Sequence, residues 1–238
     1  MKNNKVCVLS FCCVVLLISL LAPLSGRAQT VDPLTYYRGK AITIIVPFAA
    51  GGGTDIMTRW LAPWLTKYIP GNPTVSVVNM PGAGGMIGAN HVYNVVKQDG
   101  LTLMTSSSGN NMMWLLKAKG VEFDQSKMPV ALATSTGFIF FAKGDLYKEF
   151  KDIFDKELII FGHQPAGTST TLQFLVIKEL LGFKTKKLIL AYEGSGDAWR
   201  AYVAGEINTS GIPTPGYLSY IKALETTGEA KMLFQTEK

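Results

Sequence analysis

Ile42-Thr43-Ile44-Ile45-Val46-Pro47-Phe48-Ala49-Ala50-Gly51-Gly52-Gly53-Thr54-Asp55 contains a strand, a turn and the start of a helix in fourteen residues. Its first half is almost continuously apolar and β-branched, the pattern of a strand buried on both faces. Three glycines then allow a tight turn, and Thr54 or Asp55 supplies an N-cap. Ile56, Trp60, Leu61, Trp64, Leu65 and Tyr68 follow at helical spacing. They are expected to form the buried face of the helix, with Trp60 and Trp64 in the core. A buried strand, a glycine turn and an amphipathic helix make one β–α unit, so the chain is expected to be α/β.

The unit recurs outward from this stretch. Residues 74–78 read as a second strand, 81–85 as a glycine-rich loop, 88–96 as a helix closed by Asp99-Gly100, and 101–105 as a third strand. The apolar runs within 130–141 are expected to form one long strand passing between two lobes. Strand, loop and helix then repeat over 158–161, 162–168 and 169–181, over 188–191, 192–196 and 197–204, and over 207–210, 211–215 and 216–225. A last short strand is expected over 231–234.

Residues 1–28 differ from the rest. Lys2 and Lys5 precede an apolar run over 6–24, and Gly26-Arg27-Ala28 puts small residues at the −3 and −1 positions. This reads as a secretory signal peptide cut before Gln29. A membrane anchor is the competing reading, because the run is near bilayer-spanning length. The 238-residue chain is 47% hydrophobic and 17% charged, too apolar for a disordered protein. Setting aside Lys2, Lys5 and Arg27 takes the formal charge from +6 to +3 with no dense basic run, so no nucleic-acid partner is expected. Cys7, Cys12 and Cys13 all lie in the leader. The mature chain would then lack disulfides, thiolate metal sites and cysteine catalysis. With no second apolar run of spanning length, the product is expected to be exported and soluble, without direct membrane insertion.

Glycine-rich turns before helices present backbone N–H groups and the positive end of the helix dipole, which suit a carboxylate or phosphate. Five junctions qualify: 51–55, 82–85, 106–109, 167–170 and 194–197. In a parallel sheet such loops share one edge, so a common pocket is expected there. No cofactor is expected, since neither a complete G-x-G-x-x-G nor a GK[ST] is present. G-x-S-x-G fails at Gly167-Thr168-Ser169-Thr170-Thr171. His91 falls in a helix. His163 is read as a loop residue at the cleft edge, without an acid to orient it. Two isolated histidines and no cysteine leave no expected metal site.

The segment Val46-Pro47-Phe48-Ala49-Ala50-Gly51-Gly52-Gly53-Thr54-Asp55, followed by Asn79-Met80-Pro81-Gly82-Ala83-Gly84-Gly85-Met86-Ile87-Gly88, resembles the two signature segments of the Bug/TctC family. These are the substrate-binding proteins of tripartite tricarboxylate transporters. Asp99-Gly100-Leu101-Thr102-Leu103, Gly167-Thr168-Ser169-Thr170, and Tyr192-Glu193-Gly194-Ser195-Gly196 with Gly205-Glu206-Ile207 are similar to later positions in the right order. The resemblance implies a two-lobed periplasmic-binding-protein fold of type II, each lobe a mostly parallel sheet flanked by helices, with the ligand cleft between them. It also implies capture of a small carboxylate in the periplasm for membrane transporter subunits, without catalysis. Phe48, Ala50, Gly52, Gly53, Thr54, Asp55, Ser107, Ser108, Gly167, Thr168, Ser169 and Thr170 would line the site. Many relatives carry an acidic residue after the strand near 207–210, some of them holding an amino group with it. Residues 210–214 have none, and Ile212 falls near that place, so an amino-acid ligand is not expected.

The expected organisation is a leader over 1–28, a first lobe over 29–134, a second over 135–229, and the start of a return to the first lobe over 230–238. Relatives continue further, so the first lobe is expected to be incomplete and to expose apolar surface. Two alternatives stay open: an exported α/β hydrolase or transferase using Asp55 or His163, and a truncated, inactive remnant of the binding-protein family.

Overall fold

The computed structural model describes residues 32–135, 137–155, 159–165 and 167–236. The proposed leader lies outside these residues. Among the described residues no helix is long and apolar enough to cross a membrane.

Strand β1 (Ala41–Val46) is the centre of a three-stranded parallel sheet, between β2 (Thr74–Asn79) and β3 (Thr102–Met104). Its position explains its composition, since Ile42, Ile44, Ile45 and Val46 are all buried. Helices α1 (Gly53–Tyr68), α2 (Met86–Asn94) and α3 (Ser108–Leu115) belong to this half of the chain. Helix α1 buries Asp55, Thr58 and Ala62 along one face, and Gly53 at its first turn. The aromatic stripe faces water instead, with Trp60 63%, Trp64 42% and Tyr68 67% exposed. This corrects the expectation that Trp60 and Trp64 are core. Small residues on the inner face let the helix lie close to the sheet. The aromatic rings satisfy one another outside: Trp64 and Tyr68 stack with centroids 6.1 Å apart, and the Lys67 ammonium sits 5.2 Å over the Tyr68 ring.

The second sheet has the order β6–β5–β7–β4–β8, formed by β4 (Phe138–Lys143), β5 (Ile160–His163), β6 (Lys187–Leu190), β7 (Thr209–Pro213) and β8 (Ala230–Gln235). Strand β4 runs antiparallel to both its neighbours, while β5 pairs in parallel with β6 and β7. The alternation along β4 builds two cores. Ile139 and Phe141 join Ala198, Tyr202, Ile212 and Ile221 on one face; Phe140 and Ala142 join Phe161, Phe174 and Phe183 on the other. Helix α4 (Asp152–Asp155) is short. Helix α5 (Ser169–Leu181) places Phe174 flat on Phe161, with ring centroids 3.6 Å apart. Helix α6 (Ser195–Val203) covers the opposite face, together with the helical segment after β7 that ends in α7 (Lys222–Thr227).

Several expectations are refined here. The long strand over 130–141 is regular only from Phe138; residues 130–135 are exposed and belong to no strand. Their apolar character meets no neighbouring strand. His163 is the last residue of β5 and fully buried, so it does not edge a cleft. The strand read over 207–210 is displaced to Thr209–Pro213, which puts Ile212 in the core and Pro213 at the exit. The segment read as the beginning of a return forms β8, an edge strand of the second sheet; past its end, the Thr236 N–H donates to the Phe138 carbonyl at 3.0 Å.

Candidate functional site

The loop from β1 into α1 is held from beneath. The Asp55 carboxylate accepts from the Gly51 N–H at 2.9 Å, from Asn79 Nδ2 at 2.9 Å and from Arg59 Nε at 3.0 Å. Arg59 also donates to Asn79 Oδ1 at 2.8 Å, and Asn79 Nδ2 to the Phe48 carbonyl at 3.0 Å. Burial alone would raise the Asp55 carboxyl, but the bonds from Arg59, Gly51 and Asn79 outweigh it and hold the group below its ordinary value. Asp55 is therefore a brace for the turn, and it neither caps α1 nor reaches the cleft; the N-cap is Gly52. Asp55→Ala is expected to cost about 1–3 kcal/mol at neutral pH by leaving partly buried donors without their acceptor. Urea unfolding measures this. The contribution is complete above the ordinary carboxylate range and is lost as pH falls through the lowered value, so the deficit should shrink in acid.

A small cavity lies where the braced loop meets the second sheet. Phe48, Gly52, Gly53, Thr54 and Ser107 line it from the first half, and Phe138, Gln164, Thr168, Ser169, Thr170, Ser195 and Pro213 from the second. Its volume is about 40 Å³, room for roughly three water molecules. The lining carries hydroxyls, an amide and apolar walls, and no Asp, Glu, Lys, Arg or His. Helices α1, α5 and α6 all begin there without a side-chain cap hydrogen bond. Their N-terminal amides and dipoles give the cavity positive potential without a cationic side chain.

The glycines explain how closely the two halves approach. A Cβ on Gly53 would lie 2.7 Å from the Pro213 ring, one on Gly109 2.9 Å from the Ser169 nitrogen, and one on Gly194 2.9 Å from Ala49 Cβ. The Gly53 N–H donates across the gap to Ser195 Oγ at 3.1 Å. Gly52 and Gly53 are thus required for contact with the opposite half. The positive φ in this turn belongs to Gly51, at +76°.

Of the residues expected in the site, Phe48, Gly52, Gly53, Thr54, Ser107, Thr168, Ser169 and Thr170 do meet around the cavity. Ala50, Asp55, Ser108 and Gly167 do not line it: Ala50 is exposed, Asp55 lies under the loop, Ser108 opens α3, and a Cβ on Gly167 would meet Met113. The junction at 82–85 lies outside it as well. Sequence reasoning passed over Gln164, Ser195, Phe138 and Pro213. Ser195 had a signal, following Gly194 at a helix start; the others depend on tertiary approach. His163 offers nothing to a substrate, because its ring is sealed in the core and burial, opposed by the Gly211 backbone, lowers it to about 4.

No family model matches the chain. Among curated proteins it is 29% identical over 221 residues to a UPF0065 protein from the TAR-I ttuE-ttuC' intergenic region of Agrobacterium vitis, covering 89% of this chain and 60% of that protein. It is also 29% identical over 219 residues to protein BugT of Bordetella pertussis, covering 87% of this chain and 64% of BugT. The chain is thus similar in sequence to proteins of the Bug family. It spans only about 60–64% of the length of those relatives. Among solved structures, the periplasmic binding protein BugD aligns with a TM-score of 0.71 at 24% identity, over 84% of this chain and 67% of BugD. MatC from Rhodopseudomonas palustris with bound malate aligns at 0.69 and 21% identity, over 84% and 68%. These similarities support the Bug/TctC resemblance, and the chain shares the fold of periplasmic binding proteins.

Proposed function

We propose that this chain is an exported solute-binding protein that captures a small organic carboxylate in the cleft between a first lobe ending near residue 134 and a second beginning near 135. It would hand the ligand to membrane subunits of a tripartite tricarboxylate-type transporter and perform no chemistry itself. The observation that carries this reading is the convergence of three helix starts on a cavity lined by hydroxyls and backbone amides. Such donors form charge-assisted bonds to a carboxylate, and no Asp, Glu, His or Lys in the lining stands ready to activate one of the hydroxyls as a nucleophile. The bound malate of MatC and the periplasmic location named for BugD support it by likeness. A hydrolase using Asp55 or His163 loses its candidates, since both are committed inside the structure.

The ligands would be the amides and hydroxyls around Gly52, Gly53, Ser107 and Thr168 to Thr170, together with Ser195. A thermal-shift panel tests the proposal. Malate at a hundred times its Kd should stabilise the protein by about 2.7 kcal/mol, raising Tm by roughly 5–10 °C for a chain of this size. The dimethyl ester should have no effect, and malate should be recovered unchanged. Failure of every mono-, di- and tricarboxylate in the panel would refute the reading.

A further inference from the structure

We infer that Tyr220 is a closure latch: a positioning residue that holds the two lobes together from outside the ligand cavity. Its hydroxyl donates to the Gly51 carbonyl at 2.9 Å, joining the segment after β7 to the turn before α1 across 169 positions of sequence. Neither residue lines the cavity. Both partners are fixed in place. The Tyr220 ring stacks on Trp199 with centroids 5.7 Å apart, and Trp199 stacks in turn on buried Tyr202 at 5.9 Å. Tyr220 also sits in a π turn over Tyr217–Ile221, between two residues buried in the core, and such turns break the regular helical register and recur at functional positions. On the other side, the left-handed conformation of Gly51 sets the direction of its carbonyl, and a Cβ there would meet the Tyr220 hydroxyl at 3.3 Å.

The chemistry separates this contact from the other cross-lobe bond. Ser195 Oγ occupies the Gly53 N–H, a donor that an incoming carboxylate would compete for. The Gly51 carbonyl is an acceptor, for which an anion has no use. The Tyr220 bond can therefore form in the empty and the occupied closed states alike, and its effect is on how much of the protein is closed. A ligand that needs the closed state has an apparent Kd that rises as the inverse of the closed fraction.

This inference deepens the binding-protein reading, and its effect on affinity rests on that reading. Its primary test needs no ligand. In Tyr220→Phe, which keeps the stacked ring, hydrogen exchange of the ligand-free full chain should accelerate about 3- to 10-fold over residues 49–56 and 194–198, the effect of one lost hydrogen bond. Exchange in β4 and β5 should stay at the wild-type rate. Unchanged exchange at the lobe contacts overturns the latch, and so does acceleration spread equally into β4 and β5, which would make Tyr220 a residue of general fold stability. With malate as probe, the variant should release it about 3- to 10-fold faster at an unchanged association rate. If malate and the other carboxylates do not bind at all, the proposed function falls while the exchange result still decides the latch.

Discussion

Gly53→Val is expected to weaken carboxylate binding about 10- to 100-fold while leaving the two sheets folded. The Cβ alone would stand 2.7, 2.8 and 2.9 Å from three atoms of the Pro213 ring, which is anchored by its own backbone and cannot swing aside. Overpacking of this kind costs about 1–3 kcal/mol, and under the proposed two-lobed closure the strain would arise only in the closed arrangement, where Gly53 meets Pro213. Because the open form carries none of it, the cost should fall on binding, where every ~1.4 kcal/mol is tenfold in Kd. Titration calorimetry gives the affinity, and far-UV circular dichroism with urea unfolding confirms the fold. A folded variant with wild-type affinity would show that the Gly53–Pro213 contact plays no part in the bound state.

A marked loss of stability in mild acid is the second large effect expected, and His163 is its source. The ring is fully buried at the end of β5, where its Nδ1 lies 3.4 Å from the Thr171 hydroxyl and its Nε2 has no hydrogen-bond partner. Burial lowers its value from 6.5 to about 4, so between those pH values the unfolded chain binds a proton that the folded one refuses. Stability therefore rises with pH across the window: its full value holds above about pH 6.5 and declines as pH falls towards 4. The shift is equivalent to about 3 kcal/mol. Urea unfolding at pH 7 and pH 4.5 should show this loss in the wild type and a much smaller one in His163→Gln. Equal pH dependence in the two proteins would place the acid sensitivity elsewhere, with the braced Asp55 carboxylate the next group to test.

Much of the fold was legible because β1, β5 and the helices that follow them obey short-range rules. A continuous apolar run followed by glycines leaves few alternatives to a buried strand and a turn. The errors came where the period of a pattern was clear and its direction was not. Trp60, Trp64 and Tyr68 do share one face of α1, but Asp55, Thr58 and Ala62 occupy the opposite face at comparable spacing. The smaller set won because it permits close approach to the sheet. Ranking faces by hydrophobicity alone selects the wrong one. His163 was misplaced by the glycine beside it: Gly162 looks like a loop residue, yet here it is a strand position where a Cβ would collide with Ile207 at 2.7 Å. The glycine and hydroxyl junctions predicted most of the cavity lining. Pro213 and Phe138 were invisible because only the pairing of β4 with β7 brings Phe138 opposite Pro213.

The uncharged cavity wall has a consequence for how such a protein would behave in a variable environment. Every donor around the cavity is an amide or a hydroxyl, groups that neither gain nor lose protons over the range in which bacteria live. The cavity wall therefore has a fixed charge state, while the second sheet carries the buried histidine. Any drift of affinity with acidity would trace the ionisation of the ligand itself. Short-range dipoles in an enclosed space are also little screened by dissolved salt. Capture would then be insensitive to salinity, and acid would end it by unfolding the lobe behind the cavity, leaving the intrinsic selectivity of the wall unaltered until that point.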